Sequence, residues 1–298
     1  KAETPVAETQ TPIGPQWKEF TVQNGDNLSI LFKRAGLNDR SIYELFSDAK
    51  DAKDLVTIFT EGKSSAYGSV KSKTITNQEA TRVTIESIKS FLQEAQINDV
   101  VLVFVAGHGL LDANYDYFYG THDIEFLKPQ TKGLAYQSLE NLLDGIKPLK
   151  KILIMDTCHS GEVEEDDLTV SDETTTDENS DDVMFRAVGP KLNTVSGMSP
   201  SKMMKELFVD LRKGTGTTVI SSAGGAEFAM ESNEWKNGLF TYCLLFGLRN
   251  GSADLDKDGK IMLSELQLYT TDRVTQLSKG KQTPTTRIQN IQLDYQIW

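Results

Sequence analysis

The chain has 298 residues, of which 38% are hydrophobic and 25% charged, the composition of a globular protein with one large domain or two smaller ones. Its formal net charge of −12 argues against nucleic acid or an anionic membrane surface as the main partner and favours a cationic peptide or protein. The two cysteines, Cys158 and Cys243, cannot build a disulfide framework, and no apolar run is long enough to span a bilayer.

Two segments precede the first regular pattern. Residues 1–19 contain Thr, Glu and Pro without apolar periodicity, which predicts a disordered tether. Residues 20–47 include FTVQNGDNLSILFKRAGLNDRSIYELF, which predicts a short strand, a Gly-Asp turn and two short helices. This small segment resembles the LysM-like module of envelope proteins. The resemblance implies peptidoglycan as a partner and an envelope location, whereas a reactive thiol without a visible signal sequence favours the cytoplasm.

After Ser47, buried strands alternate with amphipathic helices. Apolar spacing predicts helices around residues 85–95, 139–146 and 203–211, and apolar runs rich in branched residues predict strands at 100–105, 152–155 and 217–220. This alternation predicts an α/β fold over residues 48–298, with a mostly parallel central sheet and helices on both faces. Residues 162–182 interrupt it with eleven acidic residues and no Lys or Arg, which predicts a flexible loop.

Two of the predicted strands end in similar turns. Val101 to Val105 leads into Ala-Gly-His-Gly, and Ile152 to Met155 leads into Asp-Thr-Cys-His-Ser-Gly, so that His108 and Cys158 follow neighbouring strands. In a parallel sheet, chemistry gathers beyond the carboxyl ends of the strands. An imidazole within reach of a thiol can take its proton and make a nucleophile, and glycines close to each residue leave amides to face an oxyanion.

Structural and metal-binding roles remain as alternatives for His108 and Cys158. His108 could simply end a strand while Cys158 serves as a small buried hydrophobe, and the same atoms could bind a metal, although no Cys-x-x-Cys or His-x-x-x-His spacing is present. Cys243 lies in the amphipathic run LFTYCLLFGL, which predicts a core residue.

The segments DVVLVFVAGHG and KILIMDTCHSG, about fifty residues apart, resemble the catalytic motifs of caspase-like cysteine peptidases, the clan that includes caspases, metacaspases and bacterial relatives. DAKDL and the later run from Thr217 resemble the first core helix and the small-subunit region of that clan. The resemblance implies an endopeptidase with Cys158 as nucleophile, His108 as base and later acid, and the amides of Gly109 and Cys158 as oxyanion donors.

The resemblance also implies a substrate pocket. Asp156 occupies the position at which metacaspase-like members have a carboxylate at the floor of the pocket, which implies cleavage after Arg or Lys. A carboxylate about 4 Å from a substrate cation gains on the order of 4 kcal/mol before desolvation. The alternative for Asp156 is to cap backbone amides. Asp51, or in another alignment Asp48, is a second pocket carboxylate by the same resemblance, and Ser221 and Ser222 are carried over as residues lining the substrate groove.

One core feature of the clan is missing from the pattern. Its first core strand has only Leu28 to Phe32 as a candidate here, at a poor spacing. Two other functions remain open: a catalytically silent caspase-like binding or signalling module, against which the complete Cys-His pair argues, and a peptidoglycan-binding envelope protein. If the chain cleaves itself, Arg186, Lys191 and Lys202 are the first basic residues after the acidic loop.

The segment DLDKDGKIMLSE has the spacing of an EF-hand calcium loop. Carboxylates stand at the first, third, fifth and twelfth positions, a glycine at the sixth makes the turn, and the seventh offers its carbonyl. The candidate Ca²⁺ ligands are Asp254, Asp256, Asp258, Lys260 and Glu265. The loop is single, whereas calcium sensors usually pair theirs, so an Asp-Gly turn without metal is the alternative.

Overall fold

The computed structural model describes residues 34, 36, 49–160 without 63, 113 and 115, 183–185, 216–223, 229–232, 235, 237–287 and 293–298. For 158–160, 183–185 and 231–232 this description is of the backbone. The predicted tether 1–19, the acidic loop 162–182, the candidate cleavage residues and the predicted helix at 203–211 lie outside the described residues, as does nearly all of the segment 20–47.

Helices and strands alternate through the described part of the chain. The helices are α1 (Lys50–Glu61), α2 (Arg82–Leu92), α3 (Pro129–Lys132), α4 (Tyr136–Leu143), α5 (Leu239–Arg249) and α6 (Leu263–Leu277). The strands are β1 (Val100–Leu111), β2 (Tyr117–Tyr119), β3 (Leu134–Ala135), β4 (Lys150–Ser160), β5 (Val183–Phe185), β6 (Thr217–Ser221), β7 (Met230–Ser232) and β8 (Thr285–Arg287).

Six strands form one mixed sheet in the order β3-β2-β1-β4-β6-β8. The central strands β1, β4 and β6 are parallel, and the pairs toward both edges are antiparallel. Strands β5 and β7 form a separate antiparallel pair. The predicted α/β fold with a parallel centre is confirmed.

Helices cover both faces of this sheet. Alternate residues of the central strands, such as Ile152 and Ile154, pack in one core cluster with residues of α1, α5 and α6. The intervening residues, such as Leu153 and Met155, pack in a second cluster with residues of α2 and α4. This alternation follows from the two-residue repeat of a strand, and a strand covered on both faces must be apolar throughout. Among the described residues, no helix is long and apolar enough to cross a membrane.

The predicted turn after Val105 is wrong. Strand β1 continues through Gly107, His108 and Gly109 to Leu111, and β4 continues beside it to Ser160. The continuation is stabilised by β2, which pairs antiparallel with the last three residues of β1. The two candidate catalytic residues therefore lie within paired strands rather than in loops.

On one edge of β1, pairing with a strand begins only at Gly109 among the described residues. Among the described residues, β1 pairs with β4 on one side from Val100 to Leu110, whereas on the other side only Gly109 to Leu111 pair with a strand. A cavity of about 850 Å³ lies along the open edge between α1 and α2 and reaches His108. This is an edge at which a further strand would fit. The candidate for the missing core strand, Leu28 to Phe32, lies outside the described residues.

Candidate active site

The register of β1 and β4 places His108 directly opposite Cys158. Neighbouring strands lie about 4.8 Å apart, and positions opposite one another share a face of the sheet. His108 is 4% exposed, so its imidazole is largely shielded from water. Two residues that are 50 apart in sequence thus stand side by side on adjacent strands, as the strand-end pattern predicts.

Gly107, next to His108 in β1, has a backbone conformation that favours glycine. Its φ of +149° is one that side chains disfavour, and a Cβ there would lie 3.3 Å from the hydroxyl oxygen of Tyr119. That hydroxyl donates a hydrogen bond to the carbonyl of Ala106 at 3.0 Å, and the amide of Gly120 donates to the carbonyl of His108 at 2.7 Å. The strand segment carrying the histidine is therefore held on both sides of Gly107.

Asp156 lies two residues before Cys158 and is fully buried. Its Oδ2 accepts hydrogen bonds from the amide of Thr241 at 3.3 Å and from the hydroxyl of the same residue. Thr241 is in the first turn of α5, where backbone amides point outward and carry partial positive charge. The structure thus contains the amide contact of the capping role, and the helix end compensates the buried carboxylate.

Asp51 lies at the other side of the same helix end. It is 3% exposed, and its Oδ1 accepts hydrogen bonds from Asn237 Nδ2 at 2.9 Å and from the amide of Gly238 at 3.2 Å. Gly238 directly precedes α5. The two predicted pocket carboxylates, from α1 and β4, are therefore brought together at the start of one helix. Asp48 lies outside the described residues.

A family model described as the caspase domain matches residues 26–295, which is nearly the whole chain. The chain belongs to the caspase-domain family. Membership indicates a hydrolase of the cysteine-peptidase type that acts on peptides or proteins. No curated protein matches the chain. The match begins inside the segment 20–47, and the LysM resemblance of that segment stays a prediction.

Ser221 and Ser222 of this caspase domain both turn their hydroxyls toward backbone carbonyls. Ser221 Oγ donates to the carbonyl of Ala223 at 3.2 Å, and Ser222 Oγ donates to the carbonyl of Thr157 at 3.3 Å. The two serines are 2% and 0% exposed. Their predicted role in lining the substrate groove stays untested, while Ser222 has a direct contact with the residue before Cys158.

Three residues of the caspase domain that contact this region have no signal in the sequence. Thr157 is fully buried, and its hydroxyl oxygen accepts a hydrogen bond from the hydroxyl of Tyr117 at 2.8 Å. Gln282, also fully buried, donates from Nε2 to the carbonyl of Ser222 at 2.7 Å. Tyr117 and Gln282 lie 40 and 60 residues from their partners in the chain, so no local spacing connects them.

Cys243 is the core residue that the sequence predicts. It is fully buried in α5, and burial raises the pKa of its thiol to about 12. Because the thiolate is the nucleophilic form, this cysteine is unreactive near neutral pH.

The predicted calcium loop brings three carboxylates together. One oxygen each from Asp254, Asp256 and Glu265 lies within 4.8 Å of the others. Two oxygens bound to one Ca²⁺ at about 2.5 Å from the ion cannot be more than about 5 Å apart, so these three fit a shared ion. Asp258 is not part of this cluster, and its Oδ1 accepts from the amide of Lys260 at 2.8 Å.

Backbone amides shape the same loop. Gly259 has φ +85°, and its amide donates to Asp254 Oδ2 at 2.9 Å. Glu265 accepts from the amides of Leu255 and Met262, each at 2.8 Å. Ile261, the eighth residue of the loop, exchanges backbone hydrogen bonds with the C-terminal residues Ile297 and Trp298. The loop is therefore joined to the end of the chain.

Proposed function

We propose that the chain is a cysteine endopeptidase that uses Cys158 and His108 to cleave peptide bonds after Arg or Lys. The observation that carries the proposal is the register of β1 and β4, which sets these two residues opposite one another on adjacent parallel strands. Membership of the caspase-domain family supports the same reaction.

The chemistry requires His108 to relay one proton from the thiol to the leaving amine and a second proton from water back to the sulfur. His108 takes the proton of the Cys158 thiol, and the thiolate attacks the carbonyl carbon of the scissile bond. The amides of Gly109 and Cys158 are the proposed donors to the oxyanion. His108 then protonates the leaving amine as the C–N bond breaks, and water, deprotonated by His108, hydrolyses the thioester and restores the thiol.

Specificity for a basic residue is proposed to come from Asp156 and Asp51. Both carboxylates are buried at the start of α5, and water is largely excluded from them. A substrate guanidinium or ammonium within about 4 Å of a carboxylate would gain on the order of 4 kcal/mol before desolvation. An acidic substrate side chain would be repelled by the same charges.

The direct test is hydrolysis of a fluorogenic peptide that ends in Arg. We expect Cys158→Ala to abolish turnover and to keep the circular dichroism spectrum and Tm of the wild type. Cys243→Ala is the control for loss of a cysteine: it removes a buried, unreactive thiol, so it should lower Tm and retain turnover. Unchanged turnover in Cys158→Ala would refute the nucleophile assignment.

We also propose that the loop 254–265 binds Ca²⁺. Asp254, Asp256 and Glu265 would supply carboxylate oxygens, with Asp258 and the carbonyl of Lys260 completing the set predicted by the spacing. The proximity of the first three carboxylates supports this proposal. When bound, the ion would screen the mutual repulsion of these acids and so stabilise the loop against unfolding.

A catalytically silent caspase-like module is the remaining alternative. An active-site thiol probe separates it from the peptidase, because a silent module would leave Cys158 with the reactivity of an ordinary thiol.

A further inference from the structure

Strand β2 contacts both strands that carry the candidate catalytic residues. Tyr119 and Gly120 bond to the carbonyls of Ala106 and His108 on β1, at 3.0 and 2.7 Å. Tyr117 bonds instead to Thr157 on β4, at 2.8 Å. All three bonds end within two residues of His108 or Cys158.

Tyr117 reaches beyond its neighbouring strand. It is paired with Leu111 on β1, yet its hydroxyl bonds to a residue of β4, which lies on the far side of β1 in the sheet. The tyrosine is 3% exposed and the threonine 0%. A buried hydroxyl that loses its partner is costly, so this bond holds β2 and β4 in a defined relation across β1.

Thr157 is also held through its carbonyl. Ser222 Oγ donates to that carbonyl at 3.3 Å, while the carbonyl of Ser222 itself accepts from Gln282 Nε2 at 2.7 Å. Gln282 Oε1 in turn accepts from the amide of Met230 at 2.8 Å. The residue that precedes Cys158 is thus anchored from β2 by its side chain and from the end of β6 by its backbone.

We propose that Tyr117 is a positioning residue that acts through Thr157 to fix Cys158 relative to His108. This inference rests on the proposed function, because it is the reactivity of Cys158 that is being positioned. The interaction of a thiolate with an imidazolium weakens with distance, and misplacement of a catalytic group by about 1 Å can cost about a hundredfold in rate. The hydroxyl of Tyr117 bonds to Thr157, and the role proposed for the tyrosine through that residue is positioning rather than catalysis.

The test compares Tyr117→Phe with Tyr136→Phe. Tyr136 is a matched control because it is buried in the same cluster, packs edge-on against Tyr117 at 6.4 Å, and donates its hydroxyl to Glu140 rather than to either catalytic strand. The rate of Cys158 alkylation by iodoacetamide is measured against pH by peptide mass spectrometry. Steady-state kinetics on the Arg-ended peptide are measured in parallel.

We expect both variants to lose a few degrees of Tm, about 2–4 °C each. Only Tyr117→Phe should raise the apparent pKa of Cys158 in the alkylation profile and lower kcat by about tenfold at unchanged KM. Thr157→Val should reproduce both effects, whereas Thr157→Ser keeps the hydroxyl and should retain the wild-type profile. The double variant Tyr117→Phe with Thr157→Val should be no worse than either single change.

The inference would be overturned if Tyr117→Phe kept the wild-type alkylation profile and kcat and only its Tm were lowered. That result would leave the peptidase proposal intact. Failure of the proposed function looks different: the wild-type protein would then show no hydrolysis and an ordinary thiol pKa at Cys158. The alkylation profiles also apply to a protein without turnover. Equal profiles for wild type and Tyr117→Phe would overturn the inference there as well.

Discussion

Asp156 has an observed contact with the start of α5 and a proposed role in substrate specificity, and a single substitution can separate the two. Its carboxylate accepts two hydrogen bonds from Thr241 at the start of α5, and it stands two residues before Cys158. The hydrogen bonds from Thr241 stabilise the fold at the start of α5. The position of Asp156 two residues before Cys158 would place its negative charge near the substrate. Stability and specificity should therefore respond differently when the charge is removed and the shape is kept.

We expect Asp156→Asn to lower kcat/KM for an Arg-ended peptide by about two orders of magnitude, because the Coulomb term is lost. The free energy of unfolding should fall by only about 1 kcal/mol, since the amide oxygen still accepts from Thr241. Thr241→Val is the control: it removes the hydroxyl donor but retains the charge, and it should cost stability without losing the preference for Arg. Equal losses of activity and stability in Asp156→Asn would favour capping as the only role.

The candidate calcium loop, residues 254–265, connects α5 to α6, and its stability should depend on a bound cation. Three carboxylates with oxygens within 4.8 Å repel one another, and backbone amides offset only part of that repulsion. A ligand that binds only the folded loop stabilises it by RT ln(1 + c/Kd) at free ligand concentration c, so Tm rises with the ligand concentration. The C-terminal residues that pair with Ile261 would share in this stabilisation.

We expect a binding heat at millimolar Ca²⁺ by calorimetry and a rise in Tm with added Ca²⁺. Asp256→Asn should remove both, because the exposed carboxylate belongs to the cluster. Asp272→Asn is the matched control, since it removes one exposed negative charge on α6 outside the loop and should bind as the wild type does. The absence of any heat at millimolar Ca²⁺ in the wild type would remove the calcium site.

Strand β1 has one part that the sequence predicts and one part that it does not. Its apolar run predicts a strand covered on both faces, because only a central position in a sheet makes such a run favourable. The continuation past His108 depends on pairing with β2, a strand of three residues without a distinctive pattern. Local sequence cannot report a long-range hydrogen-bonding partner of this kind, so the sequence predicts a turn where the structure has a longer strand.

At the scale of the whole molecule, the order of strands in the sheet gives the site its residues. The juxtaposition of His108 and Cys158 is predictable because adjacent parallel strands bring their carboxyl ends together, and glycines flank the histidine. The bonds of Tyr117, Thr157 and Gln282 were not, because they cross between strands that lie far apart in sequence. The pattern of apolar residues predicts the layers of the fold and the neighbouring strands of the sheet. Buried polar contacts depend instead on how the side chains pack in the folded protein.

The net charge of −12 is another property of the whole molecule. A negative field attracts a cationic substrate over distances comparable to the screening length, which falls from about 10 Å at 0.1 M salt to about 3 Å at 1 M. We therefore expect kcat/KM for a peptide with several basic residues to fall as salt is raised. A singly charged Arg peptide of the same length is the comparison and should change less; an equal response of both peptides would contradict steering by net charge.

The central claim is that a thiol at position 158 attacks substrates whose basic residue precedes the scissile bond. The most direct measurement is mass-spectrometric mapping of the adduct formed by a peptidyl chloromethyl ketone that ends in Arg. This assignment predicts one adduct, on Cys158, formed much faster than with the matching Asp-ended reagent and lost in His108→Ala. An adduct at Cys243, or equal rates for the Arg-ended and Asp-ended reagents, would contradict it.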